Sequence, residues 1–137
     1  MIEHATRIVA IRHGQTAWNV ATRIQGHSDI GLNETGRRQA ERLALALADE
    51  RLDAVYASDL QRAVDTARAL AAGAGLAVHR EATLRERHFG IFEGLTFAEI
   101  ERHHPAESLR WRQRDAGFGP AGGETLQAFF QRAVAGV

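Results

Sequence analysis

The sequence contains no cysteine and no lysine, and each absence excludes a class of site. Without cysteine, disulfide bonds, zinc fingers and thiol catalysis are excluded. All 17 basic side chains are arginine, so any anion site must be built from guanidinium groups, histidines and backbone N–H groups. No apolar run approaches the roughly 20 residues that are needed to cross a bilayer.

The chain also has no net charge, since 17 basic side chains balance 17 acidic ones. This balance argues against nucleic-acid or membrane-surface binding through bulk electrostatics, although it leaves room for a local basic pocket. Residues 1–11 carry an acid and an arginine before a short apolar run, which is not a signal-peptide layout. We therefore expect a cytoplasmic protein, with residues 1–137 forming one domain.

Hydrophobic periodicity predicts an α/β fold. Short apolar runs predict strands over 7–11, 53–57 and 76–79, and the first is expected to be buried on both faces. A polar, glycine-rich loop is expected over roughly 12–33. Helices are expected over about 34–47, 60–72, 96–114 with a break at Pro105, and 123–135. The order of these elements indicates a mostly parallel sheet.

Capping residues suggest where two of the helices begin and end. Asn33 is the expected N-cap of the first long helix, and Ser58 or Asp59 that of the second. Gly73 and Gly75 are expected to end the second helix, because glycine readily adopts the conformation in which helices terminate.

Three predicted strands are each followed by residues that suit phosphate chemistry. Arg12 and His13 follow the first strand, Arg62 the second and Glu86 the third. Ligands bind at the carboxyl ends of parallel strands, so these side chains are expected to converge. Guanidinium groups hold phosphoryl oxygens, a neutral histidine can attack phosphorus, and a carboxylic acid can protonate the leaving oxygen. Taken singly, a histidine is far more often a hydrogen-bonded surface or core residue than a nucleophile. Arg62 alone would be a solvated helix residue, and Glu86 alone a loop charge.

The ordered set of short motifs resembles the histidine phosphatase superfamily, in its phosphoglycerate-mutase-like branch. The resemblance covers nearly the whole chain and is carried by Arg12-His13-Gly14-Gln15-Thr16 with Asn19, Gln25-Gly26 with Asp29, Leu32-Asn33-Glu34-Thr35-Gly36, Ser58-Asp59-Leu60-Gln61-Arg62-Ala63, Leu84-Arg85-Glu86, Phe89-Gly90, Phe92-Glu93-Gly94 and Gly122-Gly123-Glu124-Thr125. It implies a three-layer sandwich with a mostly parallel central sheet flanked by helices.

The resemblance also implies roles for individual residues. His13 would be phosphorylated during turnover, Arg12 and Arg62 would hold the phosphoryl oxygens, and Glu86 would donate the proton. Further substrate contacts are implied for Asn19, Gln25 and Gly26. No metal and no cofactor is implied.

The sequence departs from the family pattern in one respect. The family's second catalytic histidine lies in a later His-Gly motif, which this chain does not contain. We therefore expect a C-terminal continuation that carries this motif and a further strand. The predicted last helix has apolar residues that need a partner surface, namely Leu126, Phe129, Phe130 and Val134.

Three functions stay open from the sequence. The short spacing between Trp111 and Gly122, together with Phe89 at the position of the mutases' tyrosine, favours a phosphatase over a phosphoglycerate mutase. The missing histidine motif is the best support for a non-catalytic phospho-ligand-binding or regulatory protein. The expected ligand is a small phosphorylated metabolite, and the chain could also form a homodimer. Binding to nucleic acid or to a membrane is not expected.

Overall fold

The computed structural model describes residues 5–137. Residues 1–4, on which the expectation about a signal peptide partly rests, lie outside this range. The elements are α1 (Ala17–Val20), α2 (Glu34–Ala46), β1 (Val55–Ala57), α3 (Gln61–Ala74), β2 (Val78–Arg80), α4 (Phe97–His103), α5 (Pro105–Arg112), α6 (Leu126–Ala135) and two 3₁₀ turns at Ala82–Leu84 and Gly90–Phe92. None of the described helices has the length and apolar character that a membrane crossing requires.

The sheet within residues 5–137 is a parallel pair of strands. β1 and β2 run side by side with Val55 opposite Val78, and the backbone N–H of Glu81 extends the pairing by donating to the Ala57 carbonyl at 2.8 Å. α3 makes the crossover between them, as the parallel connection requires. The predicted α/β class is confirmed.

The strand predicted over 7–11 is wrong for the structure as described. This segment forms neither helix nor strand, and its apolar side chains are exposed, with Ile8 at 69% and Ile11 at 38%. A strand needs a hydrogen-bonded neighbour, and the sheet of residues 5–137 contains only β1 and β2. The sequence pattern shows that the segment is apolar, but it does not show whether a neighbouring strand is present to pair with it.

Several predicted helix boundaries are confirmed. The Asn33 side chain accepts from the backbone N–H of Gly36 at 2.8 Å and so caps α2. Gly75 ends α3 in the left-handed conformation with φ of 68°, whereas Gly73 lies inside that helix and does not end it. Pro105 begins α5, and only His104 lies between the end of α4 and the start of α5.

The predicted N-cap of α3 is wrong. Leu60 occupies the cap position and makes no side-chain cap, while the Asp29 carboxylate accepts from the backbone N–H of Gln61 at 2.7 Å. The Asp59 carboxylate is instead taken by the Arg85 guanidinium, with two bonds of 2.6 Å. A carboxylate 32 residues away therefore caps the helix, and local sequence could not reveal this.

Two groups of apolar side chains are buried. One face of α3 lies against the sheet and α2 and buries Val64, Ala67, Leu70 and Ala71. A second cluster is formed by Phe92, Ile100 and Phe118, and the partly buried Trp111 packs against it. On α6, Phe130 and Val134 are 65% and 57% exposed within the described residues.

Candidate functional site

Arg62, in the first turn of α3, is the most deeply buried cation of the site. Its side chain is 2% exposed and donates to the carbonyls of Ser28 at 2.9 Å and Gly26 at 2.7 Å. It also donates to the Glu86 carboxylate at 3.0 Å. A buried charge requires such partners, because desolvation otherwise costs several kcal/mol.

The parallel pairing explains why Arg62 and Glu86 meet. Arg62 follows β1 by five residues and Glu86 follows β2 by six, and the two strands end side by side. The Glu86 side chain is 45% exposed, so one partner of the ion pair is buried and the other reaches solvent. This convergence at the carboxyl end of the sheet agrees with the sequence prediction.

His13 has a defined tautomer. Its Nδ1 lies 2.6 Å from the Gly14 carbonyl oxygen, and since a carbonyl can only accept, Nδ1 carries the proton and Nε2 keeps its lone pair. Burial lowers the pKa of His13 below its ordinary 6.5, and the guanidinium groups of Arg62 and Arg12 add to this effect. The Gly14 hydrogen bond and the Glu86 carboxylate act in the opposite direction and raise the pKa of His13, but the net result is still a lowered pKa. The ring is therefore neutral near pH 7.

The segment that carries His13 is attached to the neighbouring helices. The backbone N–H of Gly14 donates to Thr66 Oγ1 at 3.0 Å, and this hydroxyl donates in turn to the Arg62 carbonyl at 2.8 Å. A Cβ at Gly14 would lie 2.5 Å from the Gly36 carbonyl oxygen, so the close approach of the segment to α2 requires glycine. Thr66 was not predicted as a site residue, although it lies one turn after Arg62 on the same face of α3.

An open cavity of about 390 Å³ lies beside His13. Its lining includes three of the predicted residues, Arg12, His13 and Asn19, together with Gln39 and Thr66. A second cavity of about 440 Å³, between α3 and β2, shares none of these residues and has only arginines as charged groups. The first cavity is the candidate site, because residues selected from the sequence line it, whereas none of them lines the second.

Three residues with implied substrate contacts serve as local supports. The Asn19 side chain accepts from the backbone N–H of Thr16 at 2.8 Å and so completes the cap of α1, while it also lines the cavity. The buried Gln25 accepts from the Thr16 hydroxyl at 2.7 Å. Gly26 presents its carbonyl to Arg62. Gln25, Gly26, Arg62 and Glu86 are not among the residues that line the cavity, and the contact of these four residues with substrate stays a prediction.

The arrangement combines an uncharged imidazole with cationic and acidic groups. In the part of the chain that the structure describes, no three histidine, aspartate or glutamate side chains are grouped so that they could hold a metal ion. The residues suit a reaction in which Nε2 of His13 attacks an electrophile, the arginines bind anionic oxygens and Glu86 exchanges a proton.

Comparison with known proteins identifies the family of the chain. The profile of the histidine phosphatase superfamily (branch 1) matches residues 8–137. Glucosyl-3-phosphoglycerate phosphatase of Mycobacterium tuberculosis is 45% identical over 88% of this chain and 54% of its own length. Phosphoglycerate mutase-like protein 4 of Arabidopsis thaliana is 42% identical over 91% of this chain and 56% of its own length.

The fold comparison gives the same result. A mycobacterial glucosyl-3-phosphoglycerate phosphatase solved with VO3 superposes with a TM-score of 0.82 at 42% identity, covering 88% of this chain and 57% of the other. The chain spans about half the length of the curated relatives it matches. The chain belongs to branch 1 of the histidine phosphatase superfamily.

Proposed function

We propose that the protein hydrolyses a small phosphorylated metabolite without a metal, through a phosphohistidine at His13. The observation that carries the proposal is the state of His13, whose Nδ1–H is held by the Gly14 carbonyl and whose pKa is lowered by burial. A histidine held in this way keeps Nε2 unprotonated at neutral pH, and only an unprotonated nitrogen can attack phosphorus.

In the first proposed step, Nε2 of His13 forms a bond to phosphorus while the bond to the leaving oxygen breaks. The leaving oxygen takes its proton from the Glu86 carboxyl group. Arg12 and Arg62 balance the negative charge that is spread over the three other phosphoryl oxygens. The burial of Arg62 supports this role, since a guanidinium that is already fixed needs little reorganisation during the reaction.

In the second proposed step, a water oxygen attacks the phosphoryl group and the bond from phosphorus to Nε2 breaks. The Glu86 carboxylate accepts the proton that the water loses, so the enzyme returns to its starting state with one inorganic phosphate released. The 45% exposure of the Glu86 side chain supports this role, because the carboxylate is within reach of solvent.

The names of the relatives support a phosphatase acting on a small metabolite. One is a glucosyl-3-phosphoglycerate phosphatase and another is a phosphoglycerate mutase-like protein. The second name favours phosphoryl transfer between positions of a phosphoglycerate as the alternative function. We further propose that the parallel pair and its flanking helices belong to a three-layer sandwich in the whole protein, which the TM-score of 0.82 supports.

A panel of phosphomonoesters assayed with EDTA tests the function. We expect inorganic phosphate to be released from at least one small phosphorylated metabolite, and His13→Ala to abolish this release. His103→Ala is the matched control, since His103 is an exposed histidine on α4. Activity that disappears with EDTA, or equal rates for His13→Ala and the wild type, would contradict the proposal. Isomerised phosphate ester in place of free phosphate would favour the mutase.

A further inference from the structure

Arg132, on α6, has a separate acceptor for each of its five N–H groups. Nε and Nη2 donate to the two carboxylate oxygens of Glu124 at 2.6 and 2.8 Å. Nη1 donates to the carbonyls of Thr83 at 2.7 Å and Arg85 at 3.0 Å. Nη2 also donates to the carbonyl of Glu86 at 3.1 Å. No other residue type offers five donors in one plane, so no substitution reproduces this set.

The backbone that Arg132 contacts is the segment that bears Glu86. This segment, residues 83–86, follows β2 and includes the end of a 3₁₀ turn, whose last carbonyls have no partner within the turn. On its other side, His27 Nε2 donates to the Glu86 carbonyl at 2.9 Å. The peptide oxygen of Glu86 is thus held by two donors that come from distant parts of the chain.

Glu124 keeps Arg132 in place. Its carboxylate also accepts from the backbone N–H of His88 at 2.8 Å. The hydrogen bonds from Arg132 lower the pKa of Glu124 to about 2, and the His88 N–H contributes to this. The ion pair is only about one-fifth exposed, so it stays intact over the pH range in which a phosphatase would work.

We propose that Arg132 is a positioning residue for Glu86, acting by fixing the backbone of residues 83–86 so that the Glu86 carboxyl stays against Arg62. The inference rests on the proposed function of Glu86 as proton donor. Arg132 itself has no bond to Arg62 or to the cavity beside His13, so its effect must pass through the 83–86 backbone. A displaced Glu86 impairs proton donation and leaves the binding of the phosphoryl group largely intact.

The experiment compares kcat/KM for substrates with two kinds of leaving group, in the wild type and in the variants. An alkyl phosphate needs a proton on its leaving oxygen, whereas a nitrophenyl phosphate leaves without one. We expect Arg132→Gln to raise the aryl-to-alkyl ratio of kcat/KM by about 10-fold or more, in the same direction as Glu86→Gln. In the double variant Glu86→Gln/Arg132→Gln, the aryl-to-alkyl ratio should equal that of Glu86→Gln alone. The two changes impair the same proton transfer, so their effects do not add.

Two further variants separate a positioning effect from a general effect of the substitution. Arg132→Lys retains the charge beside Glu124 but has only three donors, so we expect a smaller rise, about threefold. Arg112→Gln removes a matched arginine that pairs with Glu101 on the surface and should leave the ratio unchanged. An unchanged ratio in Arg132→Gln and Arg132→Lys, while Glu86→Gln shifts it, would overturn the inference alone. An unchanged ratio in Glu86→Gln itself would overturn the role of Glu86 and the inference with it.

Discussion

The Arg62 guanidinium lies 3.0 Å from the Glu86 carboxylate, and the two side chains differ sharply in exposure, at 2% and 45%. One group is fixed by the carbonyls of Gly26 and Ser28, while the other reaches solvent. This difference suits an arginine that binds a phosphoryl group and a carboxyl group that exchanges protons with a leaving group and with water.

Replacing Arg62 by lysine tests the proposed phosphoryl contact. Lysine keeps the charge but loses the planar arrangement of donors, so we expect kcat/KM to fall by about 10²-fold or more, or about 2.7 kcal/mol. Arg68→Lys, a half-exposed position on the same helix, is the control and should change little. A fall of less than about twofold in Arg62→Lys would show that Arg62 does not touch the transferred group.

Replacing Glu86 by glutamine tests the proposed general acid. Alkyl phosphates should lose far more activity than aryl phosphates, whose leaving groups depart without a proton. Glu101→Gln changes an exposed residue and should leave the activity on both alkyl and aryl phosphates unchanged. Equal losses on both substrate classes would move the acid role to Asp59 or Glu93. The structure makes both less suitable. The hydrogen bonds from Arg85 lower the pKa of the Asp59 carboxyl, and the Glu93 side chain is only 12% exposed.

The acid limb of the pH profile should lie below pH 6.5. Burial and the neighbouring arginines lower the pKa of His13, so the neutral ring persists as the pH falls past the ordinary value of 6.5. The profile of kcat/KM reports this group in the free enzyme. Arg12→Met removes one of the cations and should move the limb toward higher pH. A limb above pH 6.5 in the wild type would contradict the environment described for His13.

Gly26→Ala should destabilise the protein. Gly26 has φ of 53°, and a Cβ there would lie 2.1 Å from the Glu93 carboxylate oxygen. The left-handed conformation alone costs about 1–2 kcal/mol for other residues, and the collision adds to this. Gly73→Ala is the matched control, because that glycine lies inside α3 with open space around it and alanine should stabilise the helix by up to about 1 kcal/mol. Urea denaturation measures the free energy of unfolding of both variants. Equal stability of Gly26→Ala and the wild type would contradict the backbone geometry described at Gly26.

The sequence predicts the features that depend on neighbouring residues and misses those that depend on distant ones. The Asn33 cap, the Gly75 terminus and the break at Pro105 follow from local chemistry and are confirmed. The strand over 7–11 fails because its pairing depends on other strands. The cap of α3 fails because its carboxylate comes from Asp29.

The same distinction applies to the site. Arg12, His13, Arg62 and Glu86 could be selected from the sequence, because each follows a predicted strand. The contacts of Arg132 could not, since it lies about 46 residues beyond the Glu86 backbone that it contacts and looks like an ordinary helix arginine. Local patterns identify candidate reactive groups, whereas the residues that orient them emerge only from the tertiary structure.

The most direct measurement is the identification of a phosphoenzyme. The protein is mixed with a phosphomonoester that it turns over, quenched in alkali, and analysed for phosphate attached to nitrogen, which is stable in alkali and labile in acid. We expect one phosphate on His13, formed at least as fast as turnover and absent from His13→Ala. Turnover without phosphate on His13, or an acid-labile phosphoenzyme that persists in His13→Ala, would contradict it.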